Sequence, residues 1–234
     1  MTLSSTQRAV VRARLRELYS NAPRDVYFDA VREEISRHYL ADPSNPYQQS
    51  GRTSGAERWR ETRYCIVEAL DRDGDLLDVG CANGLLLESL IGWAAERGIS
   101  IRPHGLDFVP ELIELAQQRL ARYNGASFEV ANAFYWVPSR QFDFVRTNLE
   151  YVQPADWPEY IARQYSAVKE GGRLILCHYR EPQDAVDVAA LLTHLGYRVG
   201  GKTEAPGVNV AWCDRPRGPV HSMPPAFVPP DAGS

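Results

Sequence analysis

The sequence predicts an α/β protein in which helices cover both faces of a seven-stranded, mostly parallel sheet. Strand-like and helix-like segments alternate from residue 75 to residue 214, which is typical of parallel strands joined by crossover helices. The apolar runs Leu76-Leu77 and Leu174-Ile175-Leu176 suit central strands that are buried on both sides. The last two strand-like segments follow each other closely, and we expect them to form a hairpin pair that closes the sheet.

The individual elements follow from the spacing of apolar residues, which changes between a period of two and a period near 3.6. The predicted strands are Leu76–Val79, Ile101–Leu106, Ser127–Val130, Phe142–Thr147, Arg173–His178, Arg198–Gly201 and Val208–Cys213. The predicted helices between them are Leu85–Arg97, Pro110–Tyr123, Trp157–Val168 and Asp184–Leu195. Together these elements define one domain, which we place at residues 75–214.

Residues 1–74 predict an N-terminal helical cap that covers the substrate. Apolar periodicity indicates helices over Gln7–Tyr19, Asp25–Tyr39 and Glu57–Leu70,. Prolines and glycines interrupt the pattern between the last two and predict a loop there. At the other end of the chain, residues 215–234 contain six prolines, so we expect an extended tail that neither pairs into a sheet nor builds a core.

Composition narrows the class of protein. Hydrophobic residues make up 44% of the chain and charged residues 24%, with a formal net charge of −4, which is ordinary for a globular protein. The basic excess of a nucleic-acid-binding protein is missing, so we expect no nucleic-acid partner. We find neither a signal-peptide pattern nor an apolar run of membrane-spanning length, and we therefore expect a cytoplasmic protein without a membrane partner.

The most informative motif is LLDVGCANG at residues 76–84, which runs from a predicted strand through a tight turn into a predicted helix. Gly80 lets the backbone approach a bound ligand closely, where a Cβ atom would collide with it. A dinucleotide-binding turn has the form G-x-G-x-x-G, and Ala82 stands where its second glycine belongs,. The motif therefore favours a nucleoside ligand other than a nicotinamide dinucleotide, although a glycine-rich turn alone is weak evidence.

This motif resembles motif I of the class I S-adenosylmethionine (SAM)-dependent methyltransferases, which have a Rossmann-like fold. The resemblance continues in order over residues 75–214. Segments similar to the family's later motifs are IRPHGLD at 101–107, VANA at 130–133, QFDFVRTN at 141–148 and KEGGRL at 169–174. The resemblance implies that the protein binds SAM and releases S-adenosylhomocysteine (SAH).

The resemblance also implies which residues hold the cofactor. In the family the acidic residue after the second strand binds the ribose, and Asp107 occupies that position. A carboxylate there can accept hydrogen bonds from ribose hydroxyls, although it could instead cap the following helix. The predicted cofactor-binding residues are Asp78, Gly80, Cys81, Ala82, Asn83, Asp107, Phe108, Asn132, Ala133, Phe134 and Asn148 in the domain, and Gln49, Ser50 and Gly51 in the cap loop.

Catalysis by such an enzyme needs alignment more than covalent chemistry, because the sulfonium of SAM is already activated. A base is needed only where the accepting atom carries a proton that must leave. The candidates are His178 at the end of the fifth strand and Glu150 and Tyr151 after the fourth,. Thr147 and Asn148 stand where metal-dependent relatives carry acidic ligands, so we expect no metal.

These observations favour a metal-independent methyltransferase that transfers a methyl group from SAM to an oxygen or nitrogen of a small molecule. Aromatic residues of the cap offer walls for a planar or apolar acceptor. These residues are Tyr19, Tyr27, Phe28, Tyr39, Tyr47 and Trp59. Two alternatives remain open: a methyltransferase acting on RNA or protein, and a SAM-binding protein without catalytic activity.

Overall fold

Seven strands form a single sheet in the computed structural model, which describes residues 17–19, 22–51, 55–179 and 186–218. The strands are β1 (Gly74–Val79), β2 (Ile101–Asp107), β3 (Ser127–Val130), β4 (Phe142–Asn148), β5 (Val168–His178), β6 (Val199–Ala205) and β7 (Val208–Asp214). The helices are α1 (Arg24–Tyr39), α2 (Ala56–Arg63), α3 (Leu85–Ala95), α4 (Pro110–Leu120), α5 (Trp157–Ser166) and α6 (Val188–His194), with 3₁₀ turns at Gln48–Ser50, Tyr64–Ala69 and Pro154–Asp156. The predicted fold class, including the N-terminal helix, is confirmed.

The strand order is β3-β2-β1-β4-β5-β7-β6. Strands β1 to β5 pair in parallel, whereas β7 pairs antiparallel with both β5 and β6. The chain therefore proceeds outward from β1 to β3, then crosses the sheet and restarts at β4. The connections that leave the carboxyl ends of β1 and β4 run in opposite directions at this switch point. Open α/β sheets hold their ligands at such a point.

Several element boundaries differ from the predictions. Strand β5 begins at Val168, because Val168 pairs with Phe142 before the register shifts at the KEGG segment. The helix predicted to end at Val168 therefore stops at Ser166. The helix predicted over Glu57–Leu70 is α-helical only to Arg63 and continues as a 3₁₀ turn.

Two predicted segments, the first helix and the proline-rich tail, lie largely outside the described residues. Residues 17–19 of the helix predicted over Gln7–Tyr19 are helical, and the rest of it is not described. The helix predicted from Asp184 begins at Val188 in the structure, where the Asp187 side chain accepts hydrogen bonds from the backbone of the first turn. The prediction for the proline-rich tail falls outside the described residues beyond residue 218.

The sheet separates two hydrophobic clusters, because successive side chains of a strand point to opposite faces. In β1, Leu76 belongs to a cluster with α3 and with Trp59 of α2. Its neighbour Leu77 belongs to the other cluster, which contains residues of α4, α5 and α6. This second cluster also takes up four side chains of α1, namely Tyr27, Phe28, Val31 and Ile35.

The cap is therefore packed on the sheet domain. Polar contacts fix the start of α1, since Tyr19 and Arg24 donate hydrogen bonds to the buried carboxylate of Asp156 at 2.7 and 2.6 Å. Within the described ranges, no helix combines the length and the apolar character needed to cross a lipid bilayer. The packing of α1 places one wall of a cavity over the carboxyl ends of the strands.

Candidate active site

A cavity of about 270 Å³ lies at the switch point between β1 and β4. The turns after β1 and β2 and the end of β4 form its floor, and α1 and the 3₁₀ turn at Gln48–Ser50 contribute to its opposite wall. Of the fourteen predicted cofactor-binding residues and three candidate bases, thirteen line it. They are Ser50, Gly51, Gly80, Cys81, Ala82, Asp107, Phe108, Asn132, Ala133, Phe134, Asn148, Glu150 and Tyr151.

The glycine-rich turn lines the cavity with its backbone. Gly80 has a φ of 77° and Ala82 a φ of 49°, the left-handed region that side-chain-bearing residues rarely adopt. The amides of Gly80 and Cys81 donate to the carbonyl of Leu106 at 2.7 and 3.0 Å, which ties the turn to β2. A Cβ atom on Gly80 would lie 3.8 Å from the Asn148 amide nitrogen, in the space of the cavity.

Asp107 ends β2 with its carboxylate at this turn. One carboxylate oxygen accepts the backbone N–H of Ala82 at 2.9 Å, and the other accepts that of Val109 at 3.0 Å. Burial raises the pKa of Asp107 to about 6, although these hydrogen bonds oppose the shift. Asp107 therefore orders two turns and also borders the cavity. The N-cap residue of the following helix is Val109, not Asp107.

Aromatic residues form the end of the cavity beyond Asp107. The Asn132 side-chain oxygen accepts the N–H of Phe134 at 2.9 Å and so fixes the turn after β3. Phe134 is 1% exposed and its ring centroid lies 5.6 Å from that of Phe28 in α1. Phe134 thus borders the cavity and belongs to the core, while Phe108 is partly buried beside it.

Two arginines lie at the opposite end of the cavity. Arg146 of β4 is 2% exposed and donates from Nη1 to Asp78 Oδ1 at 2.8 Å and from Nη2 to the Tyr179 hydroxyl. Arg63 at the end of α2 is 6% exposed and stacks on the Tyr179 ring, 3.9 Å from guanidinium carbon to ring centroid. Both arginines and Tyr179 line the cavity, whereas Asp78 does not.

Asn83 and Gln49 do not line the cavity, and their side chains contact each other beside it. The Asn83 amide nitrogen donates to the carbonyl of Pro46 at 3.0 Å and to Gln49 Oε1 at 3.1 Å. Its oxygen accepts the Ser50 hydroxyl and the N–H of Leu85. Asn83 thereby fastens the cap loop to the turn after β1, which leaves Ser50 and Gly51 at the cavity.

The structure separates the three candidate bases. His178 is 2% exposed, packs its ring 6.1 Å from that of Trp157 and does not line the cavity. Glu150 and Tyr151 line it. Glu150 accepts the backbone N–H of Tyr179 at 2.9 Å, and the Tyr151 hydroxyl lies 3.3 Å from that of Tyr39, whose pKa burial raises to about 12.

Sequence reasoning missed Arg63, Arg146 and Tyr179. A signal for Arg146 was present, because a charged residue in a strand buried on both faces is expected to find a partner of opposite charge. Asp78 in the neighbouring strand is that partner. Of the six predicted aromatic wall residues, Phe28, Tyr39 and Trp59 line the cavity; the other three, Tyr19, Tyr27 and Tyr47, do not.

The described residues contain no group of three or more metal-ligating side chains close enough to hold an ion. The charged residues that line the cavity are Arg63, Arg146, Asp107 and Glu150.

Comparison with known proteins identifies the family and the fold. The sequence profile of the methyltransferase domain family matches residues 52–225. The demethylmenaquinone methyltransferase of Deinococcus radiodurans is 30% identical over 132 residues, which cover 55% of this chain and 52% of that protein. The chain therefore spans about half the length of this curated relative.

Solved methyltransferases share the fold. The N-methyltransferase NodS from Bradyrhizobium japonicum WM9, in complex with SAH, superimposes with a TM-score of 0.60 at 18% identity and covers 79% of this chain and 97% of its own. A SAM dependent methyltransferase from Aquifex aeolicus gives a TM-score of 0.52 at 18% identity, covering 78% and 97%.

The parallel sheet with its antiparallel β7 and the glycine turn after β1 define the class: this is the fold of class I SAM-dependent methyltransferases. The profile match extends over more than half of the sequence. The chain belongs to the methyltransferase domain family.

Proposed function

We propose that the protein transfers a methyl group from SAM to an oxygen or nitrogen of a small-molecule acceptor, without a metal, and releases SAH. The observation that carries the proposal is the cavity at the β1/β4 switch point. It combines a glycine turn and a ribose-type carboxylate with two buried arginines and an apolar wall. The turn and the carboxylate suit the nucleoside of SAM, the arginines suit the carboxylate of its methionine moiety, and the apolar wall suits the acceptor.

The residues present fit SAM. Asp107 would accept the ribose hydroxyls, and Phe108 with the turn Asn132–Phe134 would border the adenine. The Arg63 guanidinium has no carboxylate of the described residues within 4.0 Å. Burying such a charge without an anion is costly, so a ligand carboxylate such as that of the methionine moiety would stabilise it. Ser50 and Gly51 would contact the same end.

The acceptor would bind against α1. Phe28, Val31 and Ile35 from this helix, with Val152 and Tyr160, give the cavity an apolar wall. The cavity of about 270 Å³ lies just below the roughly 300–1,000 Å³ that is typical of small-molecule sites. The name of the curated relative, demethylmenaquinone methyltransferase, also supports a small-molecule acceptor. The net charge of −4 argues against RNA.

The reaction requires the acceptor's lone pair to attack the methyl carbon while the carbon–sulfur bond breaks toward sulfur. The sulfonium supplies the activated methyl group. The chain's own residues align the reactants and exclude water, which can contribute about 7–11 kcal/mol. We propose that Glu150 and Tyr151, beside Tyr39, contact the accepting atom and that the Glu150 carboxylate receives its proton, since His178 lies outside the cavity,.

The test is turnover by the full chain. The protein is incubated with SAM and a pool of small metabolites, and SAH and methylated products are measured by mass spectrometry. We expect SAH together with a methylated small molecule, both with and without EDTA. Gly80→Val is the inactive control, because its side chain would be strained at a φ of 77° and would enter the cavity,.

Other outcomes point to the alternatives. Binding of SAM without SAH formation from any acceptor would indicate a non-catalytic binding protein. Methylation confined to an added RNA or protein fraction would indicate a macromolecular substrate. Loss of activity in EDTA, restored by magnesium, would contradict metal independence.

A further inference from the structure

The two central strands of the sheet carry a buried ion pair beside the cavity. Asp78 of β1 and Arg146 of β4 stand opposite each other in the parallel register and are 0% and 2% exposed. One oxygen of Asp78 accepts from Arg146 at 2.8 Å. Within the described part of the chain, the other oxygen, Asp78 Oδ2, and the Arg146 Nε nitrogen have no hydrogen-bond partner.

This pair is not needed to join the two strands, because backbone hydrogen bonds already pair β1 with β4. A buried ion pair also adds little stability compared with apolar residues of the same volume. Two polar atoms without partners make the arrangement more costly still. A buried ion pair that destabilises the fold and lies in the floor of a cavity points to a role in ligand binding.

The pair changes the charge that a ligand meets. Asp78 occupies the position of the acidic residue in the glycine-turn motif, but Arg146, not Asp78, lines the cavity. Arg63 adds a second guanidinium on the face of the Tyr179 ring, and the Arg146 guanidinium carbon lies 5.4 Å from the same ring centroid. Asp78 and Arg146 balance each other's charge, which leaves Arg63 as the guanidinium at this end without a carboxylate of the described residues within 4.0 Å. Glu150 also lines the cavity, and its carboxylate accepts the backbone N–H of Tyr179.

We propose that Arg146 is a specificity-determining residue: by neutralising Asp78 it makes the site recognise the methionine end of its cofactor through the carboxylate and not through the ammonium group. This inference rests on the proposed function. A poorly solvated guanidinium without a carboxylate partner, here that of Arg63, attracts an anion and repels a cation. Removing the ligand's carboxylate should therefore cost much affinity, and removing its ammonium group should cost little.

Calorimetric binding to the unmodified full chain tests this directly. The probes are SAH, its analogue without the α-amino group and its analogue without the carboxyl group. Loss of the carboxyl group should weaken binding by about 30-fold or more, the scale of a charge-assisted hydrogen bond. Loss of the amino group should weaken it by less than about fivefold, the scale of an exposed ion pair.

Variants assign the selectivity to residues. Arg63→Gln should abolish most of the preference for the carboxylate. Arg60→Gln is the matched control, since Arg60 lies on the same helix, is paired with Glu96 and does not line the cavity. Arg146→Met should leave Asp78 as an unneutralised charge, so that the amino group becomes necessary for tight binding. The double variant Asp78→Asn, Arg146→Met removes both charges and should keep the original ranking of the analogues.

The outcomes distinguish failure of the proposed function from failure of the inference about Arg146. If SAH itself does not bind the unmodified protein, the proposed function fails. If SAH binds but loss of the amino group costs as much affinity as loss of the carboxyl group, or more, the inference about Arg146 is overturned while the function stands. This comparison uses the unmodified chain and therefore holds even where Arg146→Met fails to fold.

Discussion

Asp107 combines a structural role with the proposed contact to the ribose. Its carboxylate orders the turn containing Ala82 and the start of α4, and it borders the cavity at the place proposed for the ribose. Burial raises its pKa to about 6. A hydroxyl donates a stronger hydrogen bond to a carboxylate than to a neutral carboxyl group, so binding should depend on this ionisation.

We predict that SAH binds more weakly as the pH falls through the pKa of Asp107. With a pKa of about 6, affinity at pH 5 should be roughly tenfold lower than at pH 8, by proton linkage. Asp107→Asn should bind about 1.5–3 kcal/mol more weakly at pH 8. It should also lose most of the pH dependence, because the amide does not titrate. Calorimetry across this range measures both effects.

The asparagine variant is preferable to alanine here. Asparagine keeps an oxygen that can accept one of the two backbone N–H groups, whereas Asp107→Ala removes both acceptors and would disturb the turn as well. An equally steep pH dependence in Asp107→Asn would assign the titration to a different group.

Helix packing behind the cavity depends on Gly84, at the start of α3. Its φ is 75°, and a Cβ atom there would lie 3.1 Å from Leu120 Cδ1 and 3.2 Å from both Cα and Cβ of Ala116. In the structure its close neighbours belong to α4, so it sets the distance between two helices.

We predict that Gly84→Ala lowers the free energy of unfolding by about 2–4 kcal/mol, from left-handed backbone strain and overpacking together. Gly98→Ala is the matched control, because Gly98 has the same φ of 75° but no atom within 4 Å of its added Cβ. It should cost only the strain, about 1–2 kcal/mol. Denaturant unfolding of both variants measures the difference, and equal losses would show that α4 moves to accept the methyl group.

At the scale of the whole molecule, the half of the sheet away from the cavity contains a polar cluster. Asp75 of β1 lies within 4 Å of side-chain nitrogens of Arg102, His104, Arg140 and Lys169. His104 is 2% exposed and contacts Ser127 and Arg140 through its two ring nitrogens. Burial and then Arg140 lower its pKa to about 4, while Asp75 opposes the shift.

We predict that His104 makes the protein less stable in mild acid. Its pKa is about 4 in the folded state and about 6.5 when unfolded, so the unfolded chain binds the proton first. Its contribution to stability is complete above pH 6.5 and declines as the pH falls toward 4, by on the order of 2–3 kcal/mol.

The comparison variant for this effect is His104→Gln, which does not titrate. Asp107 changes stability in the opposite direction, because its raised pKa means that the folded state takes up its proton first,. Both proteins contain Asp107, so its effect cancels in the difference between their pH profiles of unfolding. Parallel profiles would show that His104 does not govern acid stability.

The sequence by itself determined the fold class and the floor of the site. Apolar periodicity located all seven strands, because a period of two and a period of 3.6 are local properties of the chain. The glycine turn after β1 and Asp107 after β2 were found for the same reason. Each is a short motif whose geometry depends on adjacent residues, and parallel strands bring their carboxyl ends to one edge.

Only the tertiary structure decided which other side chains line the cavity above this floor. Arg63, Arg146 and Tyr179 come from three distant segments and meet only because β4 and β5 follow β1 in the sheet and α2 packs over them. His178, two residues further along the sequence than Leu176, is turned away from the cavity, while the adjacent Tyr179 lines it. A local pattern cannot give such relations, because the register of paired strands and the docking of helices set which side chains converge, and both depend on packing across the whole core.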